Sequence, residues 1–483
     1  MSGFDPVEPI VSEIKAVLGH SPDFICRKVV IQGLSHVYCM YLTTITDSSV
    51  IDELIVKPIK ETSLQDNQSF KDSVSLLRAS IPVPEKKQIA SKDDPVKNIL
   101  EGNCVIWDPS SQTLLVYCTA KNDYRSITEP SSEAVIRGPR EGFLEDIESN
   151  VGLIRKRLKS SNLIFEEFSI GSATKTTIYM TYLANVADDA IVKEFRSRIS
   201  AVQTDSILES AYMEEWIQDK TFSPFPQVLS TERPDAVAAK LIEGQVAVLT
   251  QGTPMVLVGP LTFFQMFSSP EDYYQRADIA TLLRWLRMFS FLLAIFTPAL
   301  YVAIVSFHQE LLPTPLLINL AAQREEVPFP AIVEALIMII TFEILREAGL
   351  RMPRIAGQAI SIVGALVIGQ AAVEAGLVSA AMVIVVSLTA ISNFISPLYS
   401  FGIAQRIIQF AFMLLSGVMG LFGLMCGVFF LLVHLVSIRS FGVKYMTPLA
   451  PVIVSDWKDT LVRIPHNWMK RPTGSLRTKK GRR

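Results

Sequence analysis

The residues best placed to do chemistry in this chain are carboxylates set in otherwise uncharged stretches. Glu334 and Glu343 lie within Val327–Leu345, and Glu374 alone interrupts an apolar run from Ile355 to Leu398. An ionisable group inside a membrane-crossing helix marks an ion or proton pathway often enough for that to be the starting hypothesis. The alternative is structural: Glu334 bonds a neighbouring helix, and Glu374 caps a helix end. Glu343 and Glu347 stand one turn apart with Arg346 beside them, which suits a local ion-pair cluster. At 100° per residue, Val363, Val367, Gln370 and Glu374 share one helix face, a candidate pore lining. Gly357, Ser361, Ala365 and Gly369 form a small-residue strip opposite, where another helix can approach closely. Gly420, Gly423 and Gly427 make a second such strip.

Other chemistries lack their motifs. There is no phosphate-cradling GxxxxGKS/T, no GxGxxG, no GxSxG and no HExxH. Ser172–Lys175 and Ser12–Lys15 match SxxK, a pattern short enough to arise by chance. His20, His36, His308, His434 and His466 are scattered without metal-ligand spacing, so neither metal nor cofactor is expected. Nothing argues for an enzyme. Cys26, Cys39, Cys104, Cys118 and Cys426 show no CxxC spacing and read as reduced, packed thiols. Residues 285–483 hold 17 Lys/Arg against 9 Asp/Glu, leaving the rest of the chain acidic. That part has no basic clusters interleaved with aromatics, which gives nucleic-acid binding no support.

The elements that must position these carboxylates are apolar helices. Runs near 288–307, 355–373, 377–398 and 407–433 are long enough to cross the ~30 Å hydrocarbon layer. Residues 327–345 form a fifth run, crossing partly or fully, because its two carboxylates fall on opposite faces. Arg276, Arg284 and Arg287 place the start of this region in the cytoplasm, and the basic tail argues for the same side at its end. Four crossings plus a partial one satisfy both; five would not. The N-terminus lacks a basic start followed by an apolar core, so the first ~280 residues are expected to stay cytoplasmic.

Before the apolar runs, the pattern is α/β. Helical spacing marks Pro6–Leu18, Phe70–Ala79, Phe143–Leu158 and Ala187–Arg198. Strand pairs are expected at Phe24–Ile31 with Val37–Thr43, Cys104–Trp107 with Thr113–Cys118, Leu163–Ile170 with Lys175–Leu183, and Val246–Leu249 with Met255–Val258. Ile81–Asp94 and Thr221–Pro234 read as connectors. The expected organisation is a first α/β subdomain (1–126), a second (127–284), a polytopic helical membrane domain (285–440) and a basic tail (441–483).

Several stretches carry a specific resemblance: EPSSEAVIRGPREGF (129–143), STERPD (230–235), EGQVAVLTQGTP (243–254), SPEDYYQR (269–276), VPFPAIVEALIMIITFEILREAGLRMP (327–353) and GQAISIVGALVIGQAAVEAGLVS (357–379). Together they resemble the A subunit of GerA-type spore germination receptors, in order from about Glu129 to Pro465. Gln251 stands where the family has an acidic residue. The resemblance implies a multi-pass protein of the bacterial spore's inner membrane, with a cytosolic domain of two α/β subdomains. It implies a permease-like B subunit and a lipoprotein C subunit as partners, a ring-like homo-oligomer, and the passage of monovalent cations in response to a nutrient.

Three functions remain open on the sequence. The first is an oligomeric ion channel gated by a nutrient-binding partner. The second is a secondary transporter coupled through Glu334 or Glu374, and the third a non-conducting scaffold subunit. A paralogue that amplifies germination without a nutrient of its own shares the same motifs.

Overall fold

The computed structural model describes residues 9–31, 36–61, 77–89, 95–121, 130, 133, 135, 137–352, 367 and 369–468. The chain forms two compact units. Of the described residues, one comprises those up to Gln218 and Val228–Pro260, the other Asp219–Gln227 and those from Leu261 onward. We call them the sheet unit and the helical unit.

In the sheet unit, α1 (Pro9–Leu18) turns Val11, Ile14 and Leu18 inward, the spacing of one helix face. Five strands follow: β1 (Phe24–Val30), β2 (His36–Leu42), β3 (Glu85–Ile89), β4 (Cys104–Asp108) and β5 (Thr113–Tyr117). They pair antiparallel in the order β1-β2-β4-β5-β3. Strand β2 is buried on both faces, Val37, Cys39 and Tyr41 in one cluster and Tyr38, Met40 and Leu42 in the other. Helix α2 (Pro95–Leu100) adds Ile99 and Leu100 to the second cluster. The structure departs from the sequence reading in two places here. Strand β3 occupies the expected Pro/Lys connector, and Ser48–Glu61 is helical, passing through π geometry at Ile51–Val56. Of the expected Phe70–Ala79 helix, residues 77–80 are helical and the preceding part lies outside the described residues.

The second half of the sheet unit contains α3 (Ile147–Arg157), β6 (Leu163–Ile170), β7 (Thr176–Leu183), α4 (Asp189–Ser200), α5 (Ser210–Ile217), β8 (Leu229–Thr231), α6 (Pro234–Ile242), β9 (Val246–Thr250) and β10 (Val256–Gly259). Its order, β6-β7-β9-β10-β8, is that of the first sheet shifted by five strands. The two sheets therefore share one topology, which residue patterns alone did not reveal. Arg155 of α3 joins them: its Nε and Nη2 each donate to Asp23 at 2.7 Å, and both side chains are buried. Gln251 accepts from the backbone N–H of Ile147 at 3.0 Å, capping the start of α3. A carboxylate at this position could accept the same bond.

The helical unit holds α7 (Ala277–Phe307), α8 (Thr314–Glu325), α9 (Ala331–Arg351), α10 (Ala380–Phe394) and α11 (Tyr399–Ser437). Two expected runs differ in the structure. Helix α7 contains the expected run 288–307 and begins eleven residues earlier, at Ala277, with Arg284 and Arg287 paired inside it. Buried Asp272 accepts from Arg284 Nη2 at 3.2 Å and from Arg287 Nη1 at 2.8 Å. Helix α10 covers 15 residues of the expected 377–398 run. Ser379 caps its start and Pro397 follows its end, so it is only about 22 Å long.

The second difference concerns 407–433, expected as one span. Within α11, Gly420 has φ 60° and ψ −141°, a conformation that side chains rarely adopt. Phe401, near its start, lies 6.1 Å from the Phe263 ring. His434, near its end, lies 6.2 Å from Phe225, itself 5.9 Å from Phe263. In a straight helix those two positions would stand about 50 Å apart. The chain therefore reverses at Gly420 into two arms, 399–419 and 421–437.

Neighbouring contacts fix the direction of the other rods. Phe291 and Phe296 of α7 pair with Phe401 and Phe412, each at 5.1 Å, so α7 runs parallel to the first arm. Ile332 lies against Gly417 while Glu343 is 4.0 Å from Arg406, so α9 runs antiparallel to that arm. Helix α10 follows α9, with Ser379 at Glu334 and Phe394 6.3 Å from Phe342. The start of α7 and the end of α11 consequently lie at the same end of the bundle. One expected span thus becomes two arms.

Candidate functional site

Glu334 sits in the first turn of α9 and is wholly buried. Its Oε1 accepts from the backbone N–H of Ser379 at 2.6 Å and from Ser379 Oγ at 2.5 Å. Ser379 is the N-cap of α10, so the carboxylate faces a helix N-terminus, where negative charge is favoured. Ser379 Oγ also accepts from Met382 N at 3.2 Å and lies 3.5 Å from the Tyr301 hydroxyl. Glu334 Oε2, by contrast, has no hydrogen-bond partner among the described residues. A buried carboxylate closed on one oxygen and open on the other is the least satisfied charge of this cluster.

The second candidate carboxylate, Glu343, is half-buried and pairs with Arg346, with Arg406 at 4.0 Å. Glu347 pairs with Arg351 at 2.6 Å instead of joining that cluster.

Residues 369–374 are helical and lead into the turn before α10. Val367, Gln370 and Glu374 are exposed, and Gln370 Nε2 donates to Glu374 Oε1 at 2.8 Å. Gly369 is buried, and a Cβ there would stand 3.7 Å from Val383 of α10. Val363, Gly357, Ser361 and Ala365 lie outside the described residues.

The second glycine strip serves the reversal. A Cβ on Gly420 would meet His308 at 2.8 Å and Phe307 at 2.9 Å, and one on Gly427 would meet Phe412 at 3.0 Å. Gly423 faces the Leu415 carbonyl. These glycines let the two arms of α11 close on each other and let the tip press on the end of α7. Sequence reasoning missed Ser379 as Glu334's partner. A serine immediately ahead of the apolar Ala380–Phe394 run is an N-cap signal that could have located it.

In the sheet unit, two of the stretches that carry the resemblance meet. Thr231 donates to Glu133 Oε2 at 2.8 Å, Arg233 to the Glu133 carbonyl at 3.3 Å, and Arg233 to Asp235 Oδ2 at 2.7 Å. Burial pushes the Glu133 carboxyl up to about 7, against the smaller opposing effects of Thr231 and Arg233. Among the described residues no cluster of three His, Cys, Asp or Glu could hold a metal ion.

Residues 12–474 match the family profile of the Bacillus/Clostridium GerA spore germination protein. Spore germination protein KA of Bacillus subtilis (strain 168) is 45% identical over 458 residues, covering 94% of this chain and 84% of that protein. The uncharacterised membrane protein YfkQ of the same organism is 41% identical over 442 residues, covering 91% of this chain and 85% of that protein. The crystal structure of the N-terminal domain of the A subunit of the Bacillus megaterium spore germinant receptor GerK3 is similar at TM-score 0.41 and 27% identity. It covers 52% of this chain and 93% of that one. With its α/β region followed by apolar helices, and a match over nearly its whole length, the chain belongs to the GerA family of spore germination proteins.

Proposed function

We propose that this chain is the A subunit of a nutrient-responsive germination receptor, seated in the spore's inner membrane, whose copies assemble around an ion path. The observation that carries the proposal is the exposed face of Val367, Gln370 and Glu374 on an otherwise apolar bundle. Helix α7 is long and apolar enough to cross a bilayer, and only 22% of the most apolar window of α11 is buried within the chain. Phe422, Met425, Phe429, Phe430 and Val433 lie open on its second arm. Apolar surface on that scale calls for lipid or another subunit, whereas an amide–carboxylate pair facing lipid is costly. Water between copies of the chain gives Gln370 and Glu374 a favourable setting. On this reading the bundle is multi-pass and the sheet unit lies in the cytoplasm. The permease-like B subunit binds the nutrient, and the lipoprotein C subunit completes the complex.

A second reading has one observation in its favour. The open oxygen of buried Glu334 suits the coupling carboxylate of a transporter. Recording from the purified chain in planar bilayers, with subunits counted in the same sample, separates the two. A channel gives unitary currents that rise when Val367→Ala widens the constriction. Saturable uptake without unitary currents favours the transporter, and neither response leaves a scaffold.

A further inference from the structure

The chain makes one excursion that the receptor reading does not use. Helix α5 ends at Ile217 and β8, an edge strand of the second sheet, begins at Leu229, yet Asp219–Gln227 packs within the helical unit. This strap is closed on itself. Gln227 Oε1 accepts from the N–H groups of Asp219 and Lys220 at 3.0 and 2.9 Å, and its Nε2 donates to the Lys220 carbonyl at 2.7 Å.

The strap is also fastened to the end of the bundle from both sides. Phe441 N donates to Asp219 Oδ2 at 2.7 Å, Ser440 Oγ to the Gln227 carbonyl at 2.7 Å, and the buried Tyr445 hydroxyl to the Pro226 carbonyl at 2.6 Å. On the last turns of α11, Lys220 Nζ reaches Ser437 Oγ at 2.9 Å and Ser223 Oγ lies 3.0 Å from His434 Nε2. Phe225 is 1% exposed, within ring contact of Phe263, His434 and Tyr445.

We propose that this strap is the coupling element through which a shift in the second sheet is passed to the second arm of α11. The physical basis is an asymmetry in how that arm is held. Its far end is a single glycine in a non-helical conformation, where φ/ψ change can concentrate. Its near end is gripped by a rigid loop whose flanking residues continue directly into α5 and β8. Any movement of those two elements that displaces Asp219 or Gln227 must drag the arm or break the bonds above.

Hydrogen–deuterium exchange on the full chain in lipid nanodiscs tests this. Phe225→Ala should speed exchange at least about tenfold, both in the last turns of α11 and in β8, because loosening one end of a coupled pair releases the other. Ser223→Ala, which removes the hydroxyl's bonds with His434 and the Phe225 N–H and spares the ring layer, should give a smaller increase in the same two places. It serves as the reading should Phe225→Ala not fold. Phe222→Ala, on a ring that is wholly exposed, should change neither. The proposal is overturned if the increase stays within residues 219–227, if β8 does not respond, or if Phe222→Ala has the same effect. None of these outcomes depends on a current, so the coupling and the channel reading can fail separately.

Discussion

Buried charge is held in two opposite ways, closed throughout the sheet unit and around Asp272 of the helical unit, half-closed at Glu334. In the sheet unit Asp23 receives two bonds from Arg155 and a third from Thr44 at 2.7 Å, and the guanidinium lies 4.9 Å from the Phe165 ring. Arg233 and Asp235 are closed in the same manner, as are Arg284 and Arg287 on Asp272 in the helical unit. Glu334 is as deeply buried, and one of its oxygens is left over. A buried ion with every lone pair and proton engaged fixes how elements meet. One left half-engaged adds nothing to packing that an apolar side chain would not supply, so its retention points elsewhere. The difference teaches where to look for architecture and where for function.

Three measurements would break or sharpen this contrast. The largest effect is expected for Arg155→Ala, which strands the Asp23 carboxylate between the two sheets. Unfolding of the sheet unit, followed by denaturant titration, should lose about 3–5 kcal/mol. A loss below 1 kcal/mol would mean that the pair does not hold the sheets together.

Glu133 comes next. Its carboxyl is raised from the ordinary 4.5 to about 7, so the folded state holds the proton more tightly than the unfolded one. Its contribution to stability is therefore full below pH ~4.5, declines as pH rises toward ~7, and is flat above, an effect on the order of 2 kcal/mol. The stability difference between wild type and Glu133→Gln, measured from pH 5 to pH 8, should move in favour of the variant. A difference independent of pH would place the carboxyl in a more solvated setting.

The smallest effect is expected for Glu334→Gln. The amide oxygen can still accept from Ser379, and among the described residues Glu334 has no ion pair to lose, so melting should shift by less than about 1 kcal/mol. Conduction or uptake should change even so. A large fall in stability with transport intact would return Glu334 to a purely structural role.

What was legible in the sequence followed periodicity. Strands such as Leu163–Ile170 and Thr176–Leu183, alternating or β-branched, stood out from their own residues. Glu334 was visible because it is ionisable in an apolar stretch, and Gln370 with Glu374 because four residues bring them onto one face. The features missed depend on residues far apart in the chain. Arg284 reads as a flanking charge until Asp272 and the Asp459 carbonyl are seen beside it. Nothing in hydropathy distinguishes one long apolar helix from two arms, since Phe412–Leu431 is uncharged throughout and its only turn signal is a glycine among glycines. Ser379 was hidden for the same reason: its bond to Glu334 crosses 45 positions.

The about-turn at Gly420 has a practical corollary for anyone mapping this protein with fused reporters. A bundle held in a bilayer would present a reporter joined after residue 419 on one face and a reporter joined after Ser437 on the other. Deleting residues 420–437 would leave its cationic C-terminus stranded across the lipid from the place where α7 sets out.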